Sequence, residues 1–417
     1  MNRADQLERE LTAWLHETAA PRTPDFMDDL LRQTAALGQR PGWSFPERWI
    51  PMSVITLARR TLSPIPMRTI GVLIVLALLL ATAFAVFVGG RPTLPPPLGP
   101  AGNGIVAFGS DGDIVTVDPT SGVRRTLVGG SAVDDYPIFS PDGTRITFER
   151  SEVMNRLMLV EIKGGEPIDL LKREVDGIFG LTWSPDSRRV AFSNGDLWVV
   201  QTDGSGGAPL RMDVRCDGFP IWRPPNGEDI LFTGTRAGVQ GLYLVHVADG
   251  EVHQLTTSPD DNQPGMWTPD GRRIVTTALV NGTGGLDERR IQVLSVDTDG
   301  QLSGTKVVGP PIDDRLFGYG LSPDGTRFAA SVRDPADPAR SRVAIVEIDG
   351  AGTPVLIGPS LDKTSYGFAW LPDGRSVALN DATANKTLIL DIAGGGVREG
   401  QWSDLSGEMP SWQRVAR

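Results

Sequence analysis

The chain has 417 residues, a formal net charge of −11 and one cysteine. The acidic balance argues against a nucleic-acid partner, because phosphate binding needs clustered Lys and Arg. A lone cysteine, Cys216, can form neither an internal disulfide nor a thiolate cage for zinc, and we expect it to be a small buried residue. The 49 glycines and 33 prolines favour short strands joined by turns, so most of the chain should be all-β.

Residues 1–69 show helical periodicity. Leu7, Leu11 and Leu15 repeat at helical spacing, and the sequence around Pro24 is typical of the start of a second helix. Two short helices bury little apolar surface alone, so a partner protein, a second copy or a membrane surface is expected to cover them. We predict a small helical segment over residues 1–69.

An uncharged apolar run occupies residues 70–88. Its length is close to the roughly 20 residues that cross the hydrocarbon core of a bilayer, which predicts a transmembrane helix. Arginines precede the run, the nearest at Arg68, whereas Arg91 is the only basic residue between the run and Arg124. The positive-inside rule therefore predicts a single-pass cell-membrane protein with a cytoplasmic N-terminus and an extracytoplasmic remainder. Residues 89–103, rich in Pro and Gly, are a predicted linker.

A five-residue unit recurs through the rest of the chain: aromatic, Ser or Thr, Pro, Asp, Gly. Proline fixes φ, aspartate bonds nearby backbone N–H groups and glycine accepts positive φ, so each unit predicts a tight turn between two strands. The interval of roughly 40 to 55 residues matches a four-stranded propeller blade. The units, some with one substitution, are Phe139–Gly143, Trp183–Ser187, Trp267–Gly271, Leu321–Gly325 and Trp370–Gly374, with a longer variant at Trp222–Gly227.

The two ends of this region complement each other. Gly104–Val128 begins with the equivalent of a blade's second strand, and Met409–Gln413 matches the segment that precedes each turn. Pairing the two segments would close a ring and leave no open strand edge. We therefore predict an all-β, seven-bladed β-propeller over residues 104–417.

These repeats resemble the TolB-type, WD-like propeller family, from residue 104 to the end of the chain. The resemblance implies the fold and an interaction platform, not a particular activity, because propellers host many functions. Tryptophans recur in the strand before the turn and are expected to pack between blades. These are Trp183, Trp222, Trp267, Trp370 and Trp412.

No catalytic motif is recognisable. Propellers of this type also precede α/β-hydrolase domains, but such a domain requires a Gly-x-Ser-x-Gly turn, which the sequence lacks. His16 falls in the predicted helical segment, and His246 and His253 fall in predicted strands of one blade, where structural roles are expected. We predict neither an enzyme nor a cofactor; the enzymatic alternative is a lyase or hydrolase with its site in the propeller channel, and no set of residues in the sequence supports it.

Acidic residues recur in the connectors that lead into successive blades. In a closed ring these connectors share one face, where the acids would form a rim that attracts calcium or a basic peptide. The alternative is that aspartate simply suits solvated turns. The rim residues are Asp134, Asp135, Asp176, Asp217, Asp260, Asp261, Asp313, Asp314, Asp362 and Asp404.

Two functional hypotheses follow from this organisation. The domain order resembles that of single-pass anti-sigma factors, although the His-x-x-x-Cys-x-x-Cys pattern of their zinc-binding subclass is absent from residues 1–69. This resemblance implies a propeller that binds a protein, peptide or small ligand outside and signals to a cytoplasmic sigma factor. The alternative is a TolB-like envelope-assembly scaffold, in which the N-terminal segment is a tether.

Overall fold

A computed structural model describes residues 12–13, 95, 98–257, 265–281, 287–312, 319–350, 353–361, 365–381, 386–402 and 410–417. The chain divides into two compact units, Met1–Arg91 and Pro92–Arg417. In the first unit, Thr12 and Ala13 are helical. The described residues contain no helix long and apolar enough to cross a membrane. The span predicted over 70–88, like most of the segment over 1–69, lies outside them.

The second unit consists of seven antiparallel sheets, each one blade. Blade 1 contains β29 (Ser411–Val415), β1 (Gly102–Ser110), β2 (Asp113–Val117) and β3 (Arg124–Val128). Blade 2 contains β4 (Val133–Phe139), β5 (Arg145–Ser151), β6 (Asn155–Glu161) and β7 (Ile168–Asp169). Blade 3 contains β8 (Phe179–Trp183), β9 (Arg189–Ser193), β10 (Leu197–Gln201) and β11 (Gly206–Pro209).

The remaining four blades repeat this order, except that blade 4 contains five strands because two short strands take the place of its first. Blade 4 contains β12 (Arg215–Cys216), β13 (Ile221–Trp222), β14 (Asp229–Arg236), β15 (Val239–His246) and β16 (Val252–Gln254). Blade 5 contains β17 (Met266–Trp267), β18 (Arg273–Asn281), β19 (Asp287–Val296) and β20 (Leu302–Val308). Blade 6 contains β21 (Tyr319–Leu321), β22 (Arg327–Arg333), β23 (Ser341–Glu347) and β24 (Val355–Leu361). Blade 7 contains β25 (Ser365–Trp370), β26 (Ser376–Asp381), β27 (Lys386–Asp391) and β28 (Val397–Glu399).

The core is divided into hydrophobic clusters, one between each pair of adjacent blades. Between blades 2 and 3, for example, Leu157 and Leu159 pack with Trp183 and Phe192. Because successive side chains of a strand point to opposite faces, each blade buries one row of residues against the preceding blade and the other row against the next. The propeller is therefore stabilised by contacts between blades as well as by pairing within them.

The turn units form the hydrogen bonds that their residue types predict. The Ser140 hydroxyl donates to Asp142 Oδ1 at 2.6 Å, and the Thr144 backbone N–H donates to the same oxygen at 3.0 Å. Burial alone would raise the pKa of the Asp142 carboxyl, but these hydrogen bonds outweigh it and hold the pKa below its usual value. The same hydroxyl–carboxylate bond joins Ser184 to Asp186, Thr268 to Asp270 and Ser322 to Asp324.

An arginine at or just after the turn joins one blade to the next. Arg189 of blade 3 donates to the Gly227 carbonyl at 2.6 Å, and its guanidinium carbon lies 4.6 Å from the centre of the Trp222 ring. The same stacking places Arg145 on Trp183, Arg223 on Trp267 and Arg327 on Trp370, at 5.4, 5.1 and 5.6 Å. The predicted packing of the repeated tryptophans between blades is thereby confirmed, with Trp370 less deeply buried than the others.

The ring closes as the sequence predicts, with β29 as the first strand of blade 1. β29 pairs antiparallel with β1, and Trp412 lies opposite Val106. The Trp412 ring meets the fully buried Trp402 edge-on, with centroids 5.3 Å apart, and Trp402 in turn packs against Phe108. Both ends of the propeller thus meet in one aromatic cluster between blades 7 and 1.

Candidate functional site

The connectors between blades and the loops between second and third strands lie on one face of the propeller, because neighbouring strands are antiparallel. We call it the connector face; the turn units lie on the opposite face. First strands of neighbouring blades contact each other, as β8 does β13 and β21 does β25, so they surround the central channel. A residue at the start of a first strand therefore lies near the channel mouth on the connector face.

A cavity of about 580 Å³ lies here, lined by blades 2 and 3 and the connector into blade 4. Ile138, Ile178 and Leu181 supply an apolar floor that continues into the core between blades 2 and 3. Glu149 and Asn155 supply polar groups. An apolar cavity with a few polar groups is typical of a ligand site.

Three aromatic side chains complete the lining: Tyr136, Phe179 and Phe219. Tyr136 lies at the bulge within β4, Phe179 begins β8 and Phe219 precedes β13, and their exposed fractions are 59%, 62% and 54%. Large aromatic side chains that are more than half exposed and share one cavity form an apolar patch of the kind that marks an interaction site. The cavity is therefore the candidate functional site.

Glycine at position 180 allows Phe219 to lie against the first strand of blade 3. Gly180 has a φ of +64°, and a Cβ there would fall 2.6 Å from Phe219 Cα. Any other residue would displace the backbone that carries this aromatic ring. The position of Phe219 in the cavity lining thus depends on a glycine in the neighbouring blade.

Tyr136 occupies the equivalent position in blade 2 with a φ of 54°, a conformation that glycine adopts far more readily. The pairing of β4 with β5 is interrupted by a bulge between Asp135 and Ile138, which places Tyr136 in this conformation. Holding a tyrosine in the left-handed region costs roughly 1–2 kcal/mol. Backbone strain of this kind clusters at functional sites, and here it falls on an exposed residue of the cavity.

Glu149 is the charged group of the lining, and only 8% of it is exposed. Its carboxylate makes no hydrogen bond or ion pair with another residue of the described ranges. Burial raises the pKa of the Glu149 carboxyl, and the negative charge of Asp135, its partner across β4 and β5, raises it further. An ionised carboxylate here is energetically costly without a positive partner.

The rim residues of blade 2 already have partners. Asp134 is buried and receives two hydrogen bonds from the Arg150 guanidinium, at 2.7 and 2.8 Å. Asp135 Oδ1 accepts a hydrogen bond from the Tyr136 backbone N–H at 3.0 Å. These two acids hold the connector and the bulge in place.

The other rim residues differ in their surroundings. Asp217 accepts a hydrogen bond from the Thr235 hydroxyl at 2.5 Å and pairs with Arg215 at 3.0 Å, whereas Asp176 is exposed. Within the described ranges no three His, Cys, Asp or Glu side chains are grouped to hold a metal ion, and calcium binding stays a prediction. Outside these ranges lie Asp260, Asp261, Asp313, Asp314, Asp362 and Asp404.

The thiol and the histidines of the propeller lie away from the cavity lining. Cys216 is buried between blades 3 and 4, as predicted, and burial raises the pKa of its thiol to about 11, so it stays protonated at neutral pH. His246 and His253 lie in β15 and β16, in hydrogen-bond contact with Asp229 and Gln301.

Sequence reasoning identified acids in these connectors and missed the aromatic residues beside them. Where the chain enters blades 2, 3 and 4, an exposed aromatic follows an acid by one to three residues: Tyr136 after Asp135, Phe179 after Asp176 and Phe219 after Asp217. The available signal was a second aromatic three or four residues before the aromatic of the turn unit. This signal is easily missed, because an aromatic residue at that position is also what a buried position of a strand would contain.

No protein-family model matches the chain. An uncharacterised peptidase of Bacillus subtilis is 26% identical over 199 residues, which are 35% of this chain and 30% of the peptidase. An uncharacterised protein of Agrobacterium fabrum is 24% identical over 253 residues, 58% of this chain and 83% of that protein. The Tol-Pal system protein TolB of Anaeromyxobacter dehalogenans is 30% identical over 125 residues, 26% of each chain. The chain thus matches less than a third of the Bacillus relative.

Solved structures share the architecture at low identity. The tricorn protease superposes with a TM-score of 0.53 and 9% identity, covering 78% of this chain and 36% of the protease chain. TolB from Acinetobacter baumannii gives a TM-score of 0.45 and 16% identity, covering 76% and 81%. Likeness at this level of identity concerns the fold alone.

Proposed function

We propose that this TolB-like seven-bladed β-propeller is a non-catalytic binding module that seats an extended segment of a protein or peptide in the cavity between blades 2 and 3. One observation carries the proposal: Tyr136, Phe179 and Phe219, each more than half exposed, come from successive blades and line a single cavity. Aromatic side chains offer large contact area at low entropic cost and dominate the energetics of protein interfaces.

The chemistry of the lining supports binding without catalysis. Among described residues it contains one carboxylate, Glu149, and one amide, Asn155, with no histidine, cysteine, serine or lysine. A hydrolytic site would need a nucleophile or a second acid–base group within hydrogen-bond reach. The peptidase relative does not argue otherwise, because its match covers only 30% of that protein.

Substitution of Tyr136 by glycine tests the site. We expect Tyr136→Gly to leave the free energy of unfolding unchanged or to raise it by up to about 1 kcal/mol, since glycine relieves the left-handed strain. We expect binding to fall about tenfold or more, because an exposed aromatic contact is removed. The probe is a phage-displayed library of random twelve-residue peptides, selected on the full chain and then measured individually on both proteins.

The matched control is Val153→Gly, which removes an apolar side chain that is 99% exposed in a loop of the same face and outside the cavity lining. It should leave peptide affinity unchanged. The proposal fails if no peptide is enriched, or if the enriched peptides bind wild type and Tyr136→Gly equally.

We further propose that residues 70–88 anchor the chain in the cell membrane, with the propeller outside and residues 1–69 in the cytoplasm. The uncharged run and the arginines before it support this arrangement. Ligand binding outside would then be reported by residues 1–69 to a cytoplasmic partner, as in single-pass anti-sigma factors. The local similarity to TolB favours a second candidate, an envelope scaffold in which residues 1–69 are a tether.

Replacing residues 1–66 by an unrelated cytoplasmic sequence separates the two candidates. If the segment signals, cells with the replacement should show the same transcript changes as cells that lack the whole protein, while the protein remains in the membrane fraction. A transcript profile identical to that of wild-type cells would show that the segment is a tether. Immunoblotting of membrane fractions controls for protein level.

A further inference from the structure

We infer that the cavity binds a basic side chain of the partner peptide, with the Glu149 carboxylate as counter-ion and the rings of Tyr136, Phe179 and Phe219 as walls. The ligand group is the ammonium of a lysine or the guanidinium of an arginine. This inference rests on the proposed function and specifies the chemistry of its ligand. It concerns the interior of the cavity and not the acidic rim as a whole.

The environment of Glu149 favours a cation as the ligand. The residue is 8% exposed, lines the cavity, and has no hydrogen bond or ion pair within the described part of the chain. Across the sheet it lies between Asp135 and Leu157, a second acid and an aliphatic side chain that is fully buried. A nearly buried carboxylate between these neighbours lacks a positive charge, and an incoming cation would supply one.

The nearby arginines are already paired with other acids. Arg150, next to Glu149 in β5, points to the other face of the strand and holds Asp134 with two hydrogen bonds. Arg156 of β6 pairs with Asp169 at 2.9 Å and with Glu174 at 2.8 Å. Moving either arginine into the cavity would leave its present acids unpaired, so neither arginine serves as the counter-ion of Glu149.

The walls of the cavity suit an organic cation. Ring faces attract ammonium and guanidinium groups, and apolar walls also accommodate the methylene stem of lysine or arginine. A calcium ion would need six to eight oxygen ligands, whereas the described lining offers the oxygens of Glu149, Asn155 and Tyr136 beside apolar surface. Exposed Asp176 adds negative charge in the connector beside the cavity.

Two capped tripeptides test the inference. One is Phe-Lys-Phe with an acetylated N-terminus and an amidated C-terminus, and the other is identical except that its lysine is acetylated, which removes only the charge. We expect the full chain to bind the charged peptide about tenfold more tightly than the neutral one in isothermal titration. Glu149→Gln should reduce this preference to about twofold or less and leave the affinity for the neutral peptide unchanged.

Glu152→Gln is the matched control, because it removes the same charge from an exposed position in the adjacent loop, outside the cavity lining. It should preserve the tenfold preference. Thermal unfolding of Glu149→Gln should occur at the wild-type temperature or above, since a buried charge is removed. A lower unfolding temperature accompanied by loss of binding to both peptides would overturn the inference in favour of a structural role for Glu149.

The outcomes also separate this inference from the proposed function. Equal affinity of wild type for both peptides, with weaker binding of both by Tyr136→Gly, would overturn the cation site and keep the aromatic site. No binding of either peptide at millimolar concentration would overturn both proposals. A preference for the charged peptide that persists in Glu149→Gln would place the counter-ion elsewhere and overturn the role of Glu149.

Discussion

Deleting residues 411–417 is expected to abolish the cooperative unfolding transition of the propeller. The deletion removes β29, leaves β1 with an unpaired edge, and takes Trp412 away from Trp402 and Phe108. A propeller depends on closure because an open ring exposes both a strand edge and the faces of two blades. We expect the chain that lacks residues 411–417 to unfold gradually with increasing urea concentration, without a cooperative transition, when unfolding is measured by circular dichroism.

A point substitution tests the same feature more gently. Trp412→Ala should lower the free energy of unfolding by about 3–5 kcal/mol, the range for truncating a large buried aromatic side chain. Deleting Arg417 alone is the control, because this exposed residue lies beyond β29. A chain lacking residues 411–417 that unfolds at the wild-type urea concentration would contradict closure by β29.

Replacing Gly271 by alanine is expected to destabilise the propeller by about 2–4 kcal/mol. Gly271 has a φ of +66°, and a Cβ there would fall 1.9 Å from the carbonyl oxygen of Pro224, in the backbone of the preceding blade. The substitution therefore combines left-handed strain with an overlap that can be relieved only by moving two blades apart. The midpoint of urea unfolding measures the effect.

Ser187 makes the matching control possible, since it occupies the same position of the turn unit in blade 3 with a φ of 59°. Ser187→Gly relieves the backbone strain and loses the hydrogen bond that the Ser187 hydroxyl accepts from the Asp142 N–H at 3.2 Å. These effects oppose each other, so the free energy of unfolding should change by less than about 1 kcal/mol. A change of less than about 1 kcal/mol in Gly271→Ala as well would contradict the overlap with the backbone of the preceding blade.

The number of blades and the closure of the ring were predictable because a short turn unit with a defined local structure repeats along the chain. Proline, aspartate and glycine each favour a backbone conformation that forms the same tight turn wherever the unit occurs. Seven copies of the strand pattern leave no open strand edge only if they form a closed ring. The structure places the pairing slightly further out than predicted, from Gly102 in β1 to Val415 in β29. The positions of Trp183, Trp222 and Trp267 between blades followed from the same periodicity.

The cavity was not predictable, because it depends on where the repeat is broken. The bulge that turns Tyr136 outward, and the contact of Gly180 with Phe219, involve residues from different blades whose geometry no single repeat encodes. Among the residues that the structure describes, Glu149 is unpaired because Arg150 pairs with Asp134 and Arg156 pairs with Asp169. The sequence predicts acids in the connectors, but the difference between hydrogen-bonded Asp134 and exposed Asp176 arises only from the folded structure.

The closing strand also sets the order in which this domain is completed during synthesis. The Ile105 N–H donates to Gln413 Oε1 across 308 residues of sequence, so blade 1 waits for its first strand until the other six blades have been made. At ribosomal speeds of about 5–20 residues per second, that wait is roughly 15–60 s. Throughout it, β1 offers a free edge to chaperones, proteases or other nascent chains. Pairing with β29 ends this exposure. A chain whose synthesis stops before β29 keeps the free edge of β1, by which chaperones and proteases can recognise it.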